Sequence, residues 1–485
     1  MVLDTYIASK KDNLTDILNK INSNAEGFIF IIDKNQILLG LITDGDIRRH
    51  LINGGKISDS IESIMNTSFK SAHYKSSREE KIKFFDNRLK VLPFLDDSGR
   101  LVDFLSNNNS NFIPIANPFL GNEELSNVIE CMNSGWISSQ GKFVTTFEQD
   151  FSKLHENLFA LSSSNGTVAL QLALLALGIG KGDEVLVPNL TFAATINAVI
   201  HTGATPVLID VDIESWNIDP EKCKIEINSK TKAIIPVHLY GEPSDLDKLL
   251  VLANNYGLKI VEDCAEALGS YYKSRQVGTY GDAATFSFFG NKTITTGEGG
   301  MILFKDKETY LRAKKLRDHG MSFEKRYWHD VVGFNYRITN LQAAIGVAQL
   351  KKLSFILNKK KEIAKSYNSF FLNSPFFTVQ RCNESNINSF WLYSVILKND
   401  SPLTRDQLIA ELRNSGIETR PVFYVLSEMD IYKSFSKSKM VNSKFISENG
   451  LCFPSYVNLS ERDFIKIINL IKTIFNEKTC SDNIS

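Results

Sequence analysis

Lys292 lies in the stretch Thr285-Phe-Ser-Phe-Phe-Gly-Asn-Lys-Thr-Ile-Thr-Thr-Gly-Glu-Gly-Gly300, among apolar, hydroxyl and glycine residues with almost no neighbouring charge. Desolvation disfavours an ammonium and lowers its pKa, so an amine in such a setting is a competent nucleophile toward a carbonyl, as a Schiff-base lysine must be. By residue type alone, a lysine on a turn after a buried strand is an ordinary surface group. The weight therefore falls on what precedes it.

Leu258-Lys-Ile-Val-Glu-Asp-Cys-Ala-Glu-Ala-Leu-Gly269 reads as a short buried strand that ends in Asp263, where open α/β sheets place ligand chemistry. A carboxylate there holds a pyridine nitrogen protonated, or else caps the next helix. Upstream, Leu161-Ser-Ser-Ser-Asn-Gly-Thr-Val-Ala-Leu-Gln-Leu-Ala-Leu-Leu-Ala-Leu-Gly178 sets hydroxyls and a glycine before an apolar helix. Free N–H groups at such an N-terminus bind phosphate, with Gly166 allowing close approach and Thr167 adding a hydroxyl; a plain N-cap uses the same residues. Between these two, Phe192 follows a Pro-Asn turn at the mouth of a helix and can lie on a cofactor ring, although with 32 Phe in the chain a core role is the more frequent outcome for any one of them, so the assignment depends on the order of the set.

In chain order the set is a phosphate cup, a stacking aromatic, a strand-end Asp, then Ser287 and Lys292, and it resembles the DegT/DnrJ/EryC1/StrS sugar aminotransferases over about residues 113 to 478. The wording is closest to the perosamine synthase branch. It extends to Trp136-Ile-Ser-Ser-Gln-Gly141, Val237-His-Leu-Tyr-Gly241, Glu262-Asp-Cys-Ala-Glu-Ala267, Tyr327-Trp-His-Asp330 and Glu418-Thr-Arg-Pro-Val-Phe-Tyr424.

The resemblance implies a pyridoxal 5'-phosphate enzyme of fold type I, an α/β class with a mostly parallel seven-stranded sheet and a small C-terminal α/β domain. It implies that Lys292 is the Schiff-base lysine, Asp263 pairs with the pyridine nitrogen and Phe192 stacks on the ring. Gly166, Thr167 and Ser287 hold the phosphate with Asn335 of the partner subunit, since Gly333-Phe-Asn-Tyr-Arg337 matches the segment that crosses the family's homodimer. Glu266 stands where the family contacts the ring hydroxyl with Gln or His. A glutamate donates only when protonated, so its pKa is expected to be raised by repulsion from Asp263 and by burial. Trp136, Ser139 and Arg420 are the candidates for holding substrate.

The implied reaction takes an amino group from L-glutamate and places it on C4 of a nucleotide-linked 4-keto-6-deoxyhexose. The foremost reading converts GDP-4-keto-6-deoxy-D-mannose to GDP-perosamine for surface polysaccharide; UDP- or dTDP-linked sugars, and a silent nucleotide-sensing paralogue, are the alternatives. A sister group with His at the lysine position is a sugar 3-dehydratase, and Lys292 favours amino transfer. Val425-Leu-Ser-Glu-Met-Asp430 departs from the family's usual Pro and His, which places the substrate side of the pocket in question.

The first 105 residues stand apart. Glu26 to Arg49 reads as two apolar strands around an Asp-Lys-Asn turn and an Asp-led basic helix, and Val91 to Leu105 repeats strand, acidic turn, strand. The segment resembles a CBS pair. In Gly40-Leu-Ile-Thr-Asp-Gly-Asp46 the resemblance gives Thr43 and Asp46 to an adenine nucleotide, while the second copy carries Ser106 and Asn109 instead. A pure dimerisation module is the other reading. The expected organisation is a CBS pair at 1–105, a linker at 106–112, a large domain at 113–355 and a small domain at 356–485. The Lys359-Lys-Lys361 run is expected on a solvated helix face.

The 485 residues carry no net charge and are 43% hydrophobic, which argues against nucleic-acid or acidic-membrane partners. No apolar run reaches membrane length and no signal-peptide core is seen, so cytoplasmic residence is expected. The six Cys lack CxxC spacing and the seven His form no HExxH, so no metal site is expected.

Overall fold

The computed structural model describes residues 5–24, 27–76, 91–106 and 112–482, and these divide into two units, Met1–Ile113 and Pro114–Ser485. In the first unit, β1 (Ile7–Ser9) pairs parallel with β2 (Phe28–Ile32), which pairs antiparallel with β3 (Leu38–Thr43). The same pattern recurs in β4 (Ala72–His73), β5 (Val91–Leu95) and β6 (Leu101–Ser106). Each hairpin turns on an aspartate. Asp33 Oδ1 accepts from the N–H of Asn35 and Ile37, and Asp96 Oδ1 accepts from the N–H of Ser98 and Arg100, all at 2.8–2.9 Å. The repeat seen in the sequence is thus a structural repeat, and Phe28, Phe30, Val91 and Phe104 share one core between its halves. Of the 106–112 linker only Ser106 and Phe112 are described; Asn109 lies outside the described residues.

The second unit is built on a sheet of β7 (Phe159–Ser163), β8 (Glu184–Pro188), β9 (Thr205–Ile209), β10 (Thr231–Ile234) and β11 (Lys259–Asp263). After the small hairpin of β12 (Tyr271–Tyr272) and β13 (Arg275–Gln276) come its remaining strands, β14 (Ala283–Ser287) and β15 (Gly300–Phe304). The order is β7-β15-β14-β11-β10-β8-β9, parallel except where β15 runs against both neighbours. Val185, Leu186, Val187, Ile234, Ile260 and Val261 are essentially fully buried, as strands covered by helices on both faces require. The carboxyl ends of β7, β11 and β14 therefore open at one edge, where the connections turn into helices.

Helix Asn340–Phe371 starts at a capping box, in which Thr339 Oγ1 accepts from Gln342 N–H and Gln342 Oε1 accepts from Thr339 N–H. It runs unbroken for 32 residues through position 355, where the sequence reading divides large domain from small. Its first half packs on the helices Asn122–Ser134 and Lys142–Leu154. The second half lies on an antiparallel sheet of β16 (Phe377–Val379), β17 (Tyr393–Leu397), β18 (Arg420–Pro421) and β19 (Gly450–Phe453), ordered β16-β17-β19-β18. The expected solvated face at Lys359 to Lys361 is corrected here: Lys360 is buried, because it falls on the stripe Leu353, Ile356, Lys360, Ala364, Tyr367, Phe371 that packs inward. Among the described residues no helix is long and apolar enough to cross a membrane. Cys131, Cys223, Cys264, Cys382 and Cys452 are free thiols.

Candidate active site

Phe286 and Phe288 are buried in an aromatic cluster with Phe151, so the pleat of β14 turns the intervening Ser287 the other way. The chain then folds back through a turn in which Lys292 N–H donates to Phe289 O at 3.0 Å. Lys292 thereby enters a cavity of about 850 Å³ together with Asp263, Glu266, Ser287, Phe192 and Arg420. Its side chain is 13% exposed, with Nζ 3.9 Å from Glu266 Oε1 and 3.7 Å from the centre of the Trp391 ring. Burial pushes the Lys292 pKa down, and the negative charges of Glu266 and Asp263 only partly oppose this.

Asp263 closes β11. Its Oδ2 accepts from Thr195 Oγ1 at 2.9 Å and its Oδ1 from Ala265 N–H at 3.1 Å, while burial raises its pKa against both bonds. The preceding residue braces the strand from behind: Glu262 accepts from the N–H groups of Gly278, Tyr280 and Gly281 and pairs with buried His238 at 3.1 Å. Cys264 lies close to these two, which makes a cluster of possible metal ligands. Both imidazole nitrogens are already engaged, Nδ1 by Ser244 N–H and Nε2 by Glu262, so the group reads as a hydrogen-bonded brace.

Glu266 Oε2 accepts from Tyr240 N–H at 2.8 Å. Tyr240 adopts φ 55°, ψ 17°, a left-handed conformation that costs a non-glycine residue about 1 kcal/mol or more. Packing enforces it. The ring stacks with Trp391 (5.9 Å, 10°) and Phe423 (5.5 Å, 18°), and its hydroxyl accepts from Phe423 N–H at 3.1 Å. The Glu266 pKa is pushed up to about 7, foremost by burial, with Lys292 and the Tyr240 N–H opposing. Repulsion from Asp263, expected from the sequence as a joint cause, is the smallest of these contributions.

At the helix Gly166–Ala176, Asn165 Oδ1 accepts from Val168 N–H at 3.0 Å and Asn165 O from Ala169 N–H at 3.2 Å, while Gly166 and Thr167, which open the helix, line the cavity. Gly166 is required: a Cβ there would stand 2.9 Å from Ser287 Cβ. Thr167 lines the same wall. Phe192 precedes the helix Ala193–His201 with 60% of its surface exposed, and meets Phe423 at 5.8 Å. Arg420 reaches the cavity while paired with Glu418 at 3.0 Å.

Three sequence candidates are not brought to this cavity within one chain. Trp136 is 58% exposed, and its carbonyl accepts from Asn340 Nδ2 at 2.7 Å. Neither it nor Ser139 is in the lining. Asn335 is exposed and accepts from Arg337 Nε at 3.0 Å, whereas its neighbour Tyr336 does line the cavity and donates to Gln171 Oε1. The Val425–Asp430 departure also lies outside the lining: Leu426 and Ser427 donate to Asn189, and Leu426 packs on Ile196 and Leu208. In the first unit, Thr43 and Asp46 form the capping box of the helix Asp44–Ile52, with Asp46 also paired to Arg49. Asp46, Arg49, His50 and Ser63 border a separate cavity of about 430 Å³.

Residues 118–472 match the DegT/DnrJ/EryC1/StrS aminotransferase family. The chain belongs to this family. It is 43% identical to the GDP-perosamine synthase of Escherichia coli O157:H7, across 76% of this chain and all of that protein. It is 42% identical to the GDP-perosamine synthase of Vibrio cholerae, across 75% of this chain and 99% of that one. Among solved structures, Spr1654 of Streptococcus pneumoniae in its PLP form matches with a TM-score of 0.71 at 28% identity, covering 76% of this chain and 99% of that chain. This family member is thus a pyridoxal 5'-phosphate-dependent aminotransferase, and its first 117 residues fall outside the family match.

The residues present fit the cofactor. A buried carboxylate with a raised pKa is the kind of group that a protonated ring nitrogen stabilises, and Asp263 fits that description. The Gly166 N-terminus beside Ser287 fits a phosphate, and the exposed face of Phe192 fits an aromatic ring. Thr195, Tyr240, Trp391 and Phe423 belong to the site without having been singled out as site residues from sequence. Thr195 carried a usable signal, one helical turn beyond Phe192; Trp391 carried none.

Proposed function

We propose that this aminotransferase moves the amino group of L-glutamate to C4 of GDP-4-keto-6-deoxy-D-mannose, giving GDP-perosamine. The observation that carries the reading is a desolvated Lys292 beside Glu266 and Asp263 in one large cavity, in a chain that covers GDP-perosamine synthases end to end. Pyridoxal phosphate, when bound, supplies the electron sink that stabilises negative charge on the carbon losing its proton. Asp263 keeps the ring nitrogen protonated. Lys292 Nζ, held below the usual lysine range by burial, takes the Cα proton of glutamate and later delivers one to C4 of the sugar. Glu266, protonated in part near neutral pH, donates to the ring hydroxyl oxygen. Arg420 meets an anionic part of the substrate away from the chemistry, where binding energy serves orientation.

The working unit in this reading is a homodimer, which brings Asn335 of the partner subunit to the phosphate. The exposed positions of Asn335 and of the apolar Trp136, Trp328 and Val332 support it. The first unit is read as a CBS-type pair on the strength of its internal repeat, with an adenine nucleotide as its ligand; binding through Thr43 and Asp46 then competes with the helix cap they form. Free and mostly buried thiols suit a reducing compartment such as the cytoplasm.

The test is the absorbance spectrum of the purified protein with pyridoxal phosphate, before and after glutamate, beside a Lys292→Ala control. The expected outcome is a lysine-dependent band that glutamate converts, at least a thousandfold slower overall turnover in the control, and amination of the GDP-linked ketone in preference to UDP- or dTDP-linked ones. A band independent of Lys292 overturns the chemistry; preference for another nucleotide overturns only the substrate.

A further inference from the structure

Helix Asn340–Phe371 carries a second buried lysine that the chemistry above does not use. Lys360 is 6% exposed, and its Nζ donates to the carbonyls of Trp391 and Ser455, both at 3.0 Å, and to that of Phe390 at 3.4 Å. An ammonium has three donors and no acceptor, so three carbonyls match it completely, whereas a neutral amine turns a lone pair toward one of them. Burial pushes its pKa down to about 8. The charge is thus kept by carbonyl dipoles, from the turn before β17 and the segment after β19.

The turn that Lys360 holds is the one that covers Lys292. The Trp391 ring centre is 3.7 Å from Lys292 Nζ, and its indole N–H donates at 2.8 Å to the carbonyl of Asn291, the residue before Lys292. Phe390 sits at φ 51°, a left-handed conformation, and its N–H donates to Asn388 Oδ1 at 2.6 Å. A water-sized cavity of about 30 Å³ separates the two lysines, bordered by Asn291, Trp391, Ser455 and Tyr456. Lys292 otherwise faces Glu266 and Asp263, and the Lys360 stripe continues to Tyr367, whose hydroxyl donates to Pro454 O.

We propose that Lys360 is a positioning residue: its ammonium pins the Phe390–Trp391 turn so that the indole covers one side of the Lys292 amine. The proposal rests on Lys292 being the reactive amine and on nothing about the sugar. Lys360 itself touches neither cofactor nor substrate.

Brief acetylation of the cofactor-free full chain with acetic anhydride, from pH 6 to pH 11, reads the Lys292 amine by peptide mass spectrometry, with exposed Lys181 as the internal reference. In Lys360→Met the Lys292 midpoint is expected to rise by about one pH unit, because burial is what chiefly lowers it, while Lys181 stays fixed. Trp391→Ala should give a shift of the same sign, and the double variant little more than either, since both act through one contact. A lowered Tm with the Lys292 midpoint unmoved assigns Lys360 to stability alone and overturns the proposal. Should Lys360→Met not fold, Lys360→Gln and Trp391→Ala give the same reading, and an unmoved midpoint in both is equally decisive against it.

Discussion

Thr43 with Asp46, and Asp263 with Glu266 and Lys292, are two polar groupings that the sequence offers as binding sites, and the structure treats them in opposite ways. In the first unit Asp46 Oδ2 accepts from Thr43 N–H at 2.9 Å and from Thr43 Oγ1 at 2.7 Å, while Thr43 Oγ1 accepts from Asp46 N–H at 3.2 Å. The demand for partners is met locally. In the aminotransferase unit two carboxyls and an amine are buried with fewer partners than their charges require, so burial raises both acids and lowers the base. A grouping at rest stabilises a helix; a grouping held away from its ordinary ionisation is equipped to bind and move protons.

Asp263→Asn probes the difference most strongly. It keeps the shape and removes the charge proposed to hold a ring nitrogen protonated, so transamination should fall by about a hundredfold or more, with Tm held or raised because a buried carboxylate is costly. A lower Tm with turnover intact would make Asp263 a structural residue and erase the contrast with Thr43.

Glu266→Gln tests the ionisation directly. The folded-state pKa near 7 lies above the ordinary 4.5, so the protonated acid favours the folded state below about pH 4.5, and that contribution is lost as pH rises through 7. Replacing the acid by an amide should flatten the fall of Tm between these values, an effect of roughly 3 kcal/mol at most, and move the acid limb of the pH–rate profile. Identical Tm–pH curves for the two proteins would show that Glu266 titrates normally.

The smallest effect is expected at the cap. Thr43→Ala should cost the first unit about 1 kcal/mol, read as an earlier urea transition, and leave transamination unchanged when the first unit remains folded. Loss of turnover comparable to that of Asp263→Asn would break the comparison, since it would mean that this cap is part of the catalytic machinery.

That Gly166, Asp263, Ser287 and Lys292 would meet in one cavity was legible because their signals are local. A strand that ends in Asp263, a glycine that opens a helix at 166, and an alternation that exposes Ser287 are each written within a few residues. The Asp33 and Asp96 turns were legible for the same reason, and their recurrence disclosed the repeat. Lys360 was misread within a Lys-Lys-Lys run, although the spacing of Leu353, Ile356, Ala364, Tyr367 and Phe371 places it on their stripe. Period outweighs composition here, because a helix buries whatever its inward face carries.

Sequence alone determined the family and singled out Lys292, Asp263 and Glu266, since residue type and short-range spacing encode them. Only the tertiary structure decided how those groups ionise. The left-handed Tyr240 that aims its N–H at Glu266, the Trp391 ring over Lys292 and the carbonyls that hold Lys360 come from segments separated by 26 to 99 residues from the side chains they serve. Desolvation is a property of what packs around a group, and no local pattern in the chain carries it.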